Sequence, residues 1–160
     1  MLMNLTSLIL LIILTGILFK LVPEDVIKNL FEFSLGAGLL VALVLIYVMQ
    51  NVYGYWNFSQ IDILNIAEIP IFLSACWMPV VIIFAYFISN LDSIFMIIFL
   101  NLIFPLGATF LHYIFLLTGQ LSYTNWNLFY TFVVSLVIHL AITLYLYLIN
   151  GLKLDALIKI

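Results

Sequence analysis

Hydrophobic residues in this chain fall into long unbroken runs, not into alternation. A helix needs about 20 apolar residues to cross the hydrocarbon of a bilayer. Five runs approach or exceed that length, at residues 5–22, 33–53, 67–89, 93–118 and 127–149. Membrane β-strands would instead alternate in pieces of about ten residues. The pattern therefore predicts an all-α, polytopic integral membrane protein with five transmembrane helices.

Breakers punctuate the runs. Pro23 ends the first, and Asn150-Gly151 ends the last, because proline cannot continue the backbone ladder and Asn-Gly is a common helix stop. Glu24-Asp25 directly after Pro23 reads as the start of a helix, where negative charge is favourable. The second run opens with Ser34, Gly36, Ala37 and Gly38. Ser34 and Gly38 share a face, so they predict a seam where another helix approaches closely. Pro70 and Pro79 in the third run, and Pro105 with Gly107 in the fourth, predict bends. Residues 59–67 read as a short amphipathic surface helix, and residues 152–160 as an apolar tail lying along the interface.

Composition sharpens the picture. Of 160 residues 68% are hydrophobic, 16% are aromatic and only 7% are charged. A soluble domain runs near half apolar and about a quarter charged, and one of this size could not hide so much apolar surface. A soluble enzyme, a disordered regulator and a nucleic-acid binder are excluded. There is no arginine, so bidentate capture of phosphate or carboxylate has no agent. The lone Cys76 forbids an intrachain disulfide and reads as a packing residue. No composition break divides the chain, which predicts one transmembrane domain over residues 1–160.

The four lysines set an orientation. Lys20 and Lys28 flank the first connection, and Lys153 and Lys159 lie in the tail. With five spans all four fall on one side, the side that collects positive charge. The expected topology has the N-terminus outside and the C-terminus inside, in a prokaryotic plasma membrane. The outer connections carry Tyr and Trp, residues of the headgroup layer. They also share a pattern. Gln50, Tyr53, Trp56 and Asn57 recur as Gln120, Tyr123, Trp126 and Asn127. This offset of 70 predicts a parallel duplication of the kind transporters use, with shared interfacial aromatics as the alternative.

Ionisable and polar side chains at membrane depth are costly, so each is a functional candidate. Glu68 and His112 are placed at similar outer depth, with Gln50 and Asn51 nearby, so an acid–base pair in a polar pocket is one reading. Its alternative is a headgroup-level Glu68 and a His112 bonded across helices. His139 is placed near the midplane and Asn101 in the inner half of the fourth span. Ser135, His139 and Thr143 recur at four-residue spacing on one face, the minimum for a polar path. Two histidines 27 residues apart with one acid match no metal-ligand spacing, and no phosphate loop or nucleophile elbow occurs. No metal and no cofactor are expected.

Gly54-Tyr-Trp56-Asn-Phe58, followed by a span bearing Pro70 and Pro79, resembles the small multi-pass subunits of heterodimeric lycopene cyclases. In these a Gly-x-Trp-x-Phe segment precedes a Pro-x-Glu-Glu span. The resemblance covers about 35 residues and implies a membrane enzyme that protonates and cyclises an isoprenoid. The paired acids are absent here, since Ile71-Phe-Leu follows Pro70 and Glu68 precedes it, so no catalytic residue carries over. The Trp-Asn-Phe and Trp-Asn-Leu-Phe layout also resembles uncharacterised five-span bacterial membrane proteins, which imply no activity. Two functions follow. One is a non-enzymatic carrier or complex subunit that holds a lipophilic or uncharged ligand in the lipid bilayer. It would work as a homo-oligomer or with other membrane subunits, with Ser34, Gly36 and Gly38 as the helix contact. The other is an isoprenoid or carotenoid cyclase-like or isomerase enzyme using Glu68 and His112.

Overall fold

The computed structural model describes residues 5–91 and 93–150. It is mostly helical. Helix α1 is Thr6–Leu21, α2 Glu24–Val52, α3 Ile71–Ser89, α4 Ile94–Leu117 and α5 Leu128–Asn150. Between them lie four very short strands: β1 Trp56–Phe58, β2 Asn65–Ile66, β3 Ile69–Pro70 and β4 Leu121–Tyr123. Helices α2 to α5 are long and apolar enough to cross a membrane. The first helix is apolar but has 16 residues, or about 24 Å at 1.5 Å per residue. That falls short of a hydrocarbon layer about 30 Å thick. The tail at 152–160, with Lys153 and Lys159, lies outside the described residues.

Pro23 separates α1 from α2 as its fixed φ demands, and Glu24 and Asp25 occupy the first turn of α2. Lys28 Nζ meets Glu24 Oε1 at 2.7 Å one turn on. The second helix thus starts nine residues earlier than the apolar run, on an amphipathic segment that hydropathy alone passes over. Its ladder loosens to π-helix over Leu35–Leu40 and Val48–Val52. The third helix is innermost. Of its apolar window 56% is buried, against 22–33% for the other long helices. It breaks at Cys76, between the segments Ile71–Ala75 and Trp77–Ser89. Pro79 accounts for the break, because its ring excludes the carbonyl four residues back. Pro70 does not bend this helix; it stands at its N-cap, in extended conformation. Pro105 does lie inside α4.

The stretch predicted as a surface helix at 59–67 is not helical. Gln60, Ala67 and Glu68 have φ of 54°, 50° and 66°, values a right-handed helix cannot contain. The chain instead makes the β2–β3 hairpin, with Asn65 opposite Pro70 and Ile66 opposite Ile69. Asp62 organises this turn from beneath. It is 3% exposed, and its carboxylate accepts the N–H groups of Leu64 (3.0 Å), Phe72 (2.6 Å) and Leu73 (3.1 Å). Two of those are orphan donors of the first turn of α3, so Asp62 caps the central helix.

Strands β1 and β4 pair antiparallel over one end of the bundle, Trp56 with Tyr123, Asn57 with Ser122 and Phe58 with Leu121. The two connections share a backbone layout, but its spacing is not the 70 of the residue match. Helix ends Val52 and Leu117, the left-handed glycines Gly54 and Gly119, and strand starts Trp56 and Leu121 each stand 65 residues apart. The tryptophans matched at 70 are therefore not equivalent. A shift of 65 carries the pair Trp56–Tyr123 onto Leu121–Phe58, so the ladder is symmetric about its centre. Both glycines end their helices for the same reason, since φ of 66° and 72° is open to glycine without strain. At Gly119 the N–H groups of Gly119 and Gln120 return to the carbonyls of Leu116 and Phe115, a Schellman closure.

The N-terminal turn of α1 is bonded into the same end. Ser7 gives its N–H (3.1 Å) and its hydroxyl (2.8 Å) to the carbonyl of Ile61, and Gln120 Nε2 donates to Thr6 Oγ1 at 2.6 Å.

Candidate functional site

Two chambers lie beneath the β1–β4 ribbon. The larger, about 450 Å³, is bounded by α1, α2, α3, α4 and β1. Its walls are almost wholly apolar, and among the described residues no Asp, Glu, Lys or Arg lines it. Leu10 and Leu14 of α1 and Ile103 and Phe110 of α4 are among the residues that line it. Phe110 is 62% exposed, so the chamber opens sideways, through the helix wall, between α1 and α4. The smaller, about 50 Å³, lies deeper, among α2, α3, α4 and α5, and is lined by Thr131, Ser135 and His139. Trp56 and His112 line both chambers.

Period-two alternation of the ribbon puts Trp56 there. Trp56 and Leu121 point inward while Asn57 and Ser122 face out. Trp56 is 4% exposed, so it is an interior residue, not a member of the headgroup belt. Its ring lies edge-on to His112, centroids 4.9 Å apart. His112 Nδ1 is 2.7 Å from Tyr123 Oη, which is 2.7 Å from Thr131 Oγ1. Thr131 Oγ1 also accepts Trp126 Nε1–H at 2.9 Å and donates to the carbonyl of Asn127 at 3.3 Å.

Thr131 can give its one proton to the Asn127 carbonyl or to Tyr123, so the Thr131–Tyr123–His112 chain of bonds can run in either direction, with the His112 proton on Nδ1 or Nε2 accordingly. Tyr123 lies outside the helices, and burial pushes its phenol up to about 12, the Thr131 bond working the other way.

The remaining candidates separate into distinct places. Glu68 is exposed on the β2–β3 turn, in a surface hollow with Gln50, Asn57, Gln60 and Asn65. Neither interior chamber includes it, so Glu68 and His112 are not brought together. Gln50 Nε2 donates to the Glu68 carbonyl (2.8 Å) and Asn51 Nδ2 to that of Ala67 (3.1 Å). Both amides are spent on latching the hairpin turn to the end of α2. Asn101 is buried and bonded across helices, accepting Thr143 Oγ1–H at 3.0 Å and donating to the Ile97 carbonyl. His139 is 2% exposed. Its Nδ1 donates to the Ser135 carbonyl at 2.7 Å, and Phe84 packs edge-on at 4.8 Å.

Gly38 does form a tight helix contact, but inside the chain. A Cβ there would stand 2.9 Å from the Trp77 carbonyl oxygen and 3.1 Å from Met78 Cα. Ser34 is fully buried, donating to the Phe31 carbonyl at 2.7 Å. Gly36, in contrast, faces open space. The Ser34–Gly38 face is thus the α2–α3 seam and is not available to a second copy.

Sequence reasoning passed over Asp62, Trp56 and Thr131. The in–out–in of Trp56-Asn-Phe58 and the four-residue spacing from Thr131 to Ser135 were the available signals. Comparison with family models, with curated proteins and with solved structures gave no match.

Proposed function

We propose that this chain is a multi-pass protein of a prokaryotic plasma membrane that holds a lipophilic, uncharged ligand between its helices. The observation that carries the reading is the chamber of about 450 Å³ with no charged side chain among the described residues of its walls. Its size falls in the range of small-molecule sites. Burying a charged group there would go uncompensated, whereas an apolar molecule would be at home. Its sideways mouth is at membrane depth, where such a molecule is already dissolved. The chain crosses five times, N-terminus outside and C-terminus inside, with α1 as a short first crossing that thins the bilayer locally. Support for that crossing is the bonding of Thr6 and Ser7 into the ribbon end while Lys20 lies at the other end of α1. Further membrane subunits or a second copy would cover the exposed apolar helix faces.

The test is native mass spectrometry of gently solubilised protein, beside Gly107→Leu. Gly107 lines the chamber and a Cβ there meets nothing within 4 Å, so a side chain can start there without touching backbone. The expected result is a co-purifying lipophilic mass in the wild type that Gly107→Leu loses while still folded. A wild type that carries no such mass and takes up no added apolar probe overturns the reading.

A further inference from the structure

Three polar atoms beneath the ribbon have no hydrogen-bond partner among the described residues, and together they describe a ligand group. Trp56 Nε1 and His139 Nε2 are fully buried and unpaired. His112 has only its Nδ1 bond to Tyr123. Trp56 Nε1–H can only donate. His139 gives Nδ1–H to the Ser135 carbonyl, so its Nε2 can only accept, while the Tyr123 hydroxyl lets His112 take either role. All three residues line the 50 Å³ inner chamber. That chamber shares Ala42, Leu45, Trp56, Trp77, Ala108 and His112 with the apolar one.

Leaving a buried donor or acceptor unpaired costs free energy, so the walls specify their guest. A hydrocarbon satisfies none of these atoms. A ketone or ether oxygen satisfies the Trp56 N–H but leaves His139 Nε2 unpaired. A cation finds no carboxylate in the lining, and an anion no lysine. A neutral hydroxyl both accepts and donates, so it matches Trp56 N–H together with an imidazole Nε2. We propose that the ligand is a long apolar molecule bearing a hydroxyl group. Its chain lies in the large chamber, and its oxygen sits in the inner chamber between Trp56 and His112 or His139. This rests on the ligand-binding reading above. An ordered water would supply the same chemistry to the same three atoms, and the test separates the two sources.

The probes are 1-decanol, decyl methyl ether and n-decane, compared at equal mole fraction in the bilayer of protein-loaded nanodiscs, with the thermal midpoint as readout. The expected order is alcohol, then ether, then alkane, with the alcohol bound about tenfold tighter than the alkane, the worth of one net buried hydrogen bond. Trp56→Phe and His139→Leu should each abolish the alcohol's advantage over the alkane, and His139→Leu, which alters only the inner chamber, should leave the alkane's affinity unchanged. Equal binding of all three by the wild type overturns the hydroxyl proposal in favour of water alone and leaves the apolar chamber standing. An alcohol advantage that survives both substitutions also overturns it. Failure of every probe, decane included, overturns the underlying reading instead. The wild-type series decides without any variant, so a substitution that does not fold leaves the proposal exposed to refutation.

Discussion

Gly38 in α2 and Gly107 in α4 do opposite work. At Gly38 the α2–α3 seam closes until a methyl group would touch backbone at 2.9 Å. At Gly107, an exposed residue that lines the larger chamber, a Cβ would meet nothing within 4 Å. Membrane helices gain little from hydrophobic attraction to each other, so close packing of small residues has to hold them together. The seam gains those contacts and the chamber forgoes them. One side of the bundle is closely packed, and the other encloses a chamber.

The sharpest way to break this contrast is to overfill the seam. Gly38→Leu should destabilise the protein by about 3 kcal/mol or more, since backbone atoms of Trp77 and Met78 cannot swing aside, while Gly36→Leu, with open space at its Cβ, should not destabilise it. Thermal unfolding in detergent reads both, and a tolerant Gly38→Leu would show that the seam is not rigid. Next comes the anchor of α3, the helix both regions share. Asp62→Ala strands three backbone N–H groups and should cost about 3 kcal/mol in the same measurement. On the open side the sign reverses. Gly107→Leu should raise stability by about 0.5–1 kcal/mol, the worth of removing a helix-interior glycine; a loss would mean the space is filled.

The smallest effect concerns the roof. Tyr123→Phe removes its bonds to His112 and Thr131, for about 1 kcal/mol at neutral pH. The folded phenol holds its proton up to about 12, and the unfolded one loses it near 10. Its stabilisation is complete below pH 10 and lost as pH rises toward 12. Wild type should therefore lose more stability than Tyr123→Phe between those values in a pH series of thermal midpoints; parallel curves would refute the assignment.

The helices were legible because an apolar run of membrane length has few other readings, and Pro23 and Pro105 mark a boundary and an interior site where the sequence placed them. The ribbon was not legible, because strands of three residues are too short for alternation to stand out. The choice between two acids shows the limit most clearly. Glu68 stood out because it borders a span, and Asp62 looked like part of a surface face. Long-range backbone donors from α3 bury Asp62 instead, and nothing local to Asp62 announces them. The match at offset 70 misled for a related reason. It compared aromatic side chains, whereas the equivalence resides in helix ends and left-handed glycines.

That backbone equivalence ends in unlike residues. Exchange across the centre of the ladder puts Leu121 where Trp56 stands and Tyr123 where Phe58 stands. An aliphatic and a phenol replace an indole and a phenyl ring, so mirrored scaffolding carries mismatched furniture. The two halves of the ladder therefore present different surfaces to the space beneath it, although their backbones are related by a near-symmetric exchange.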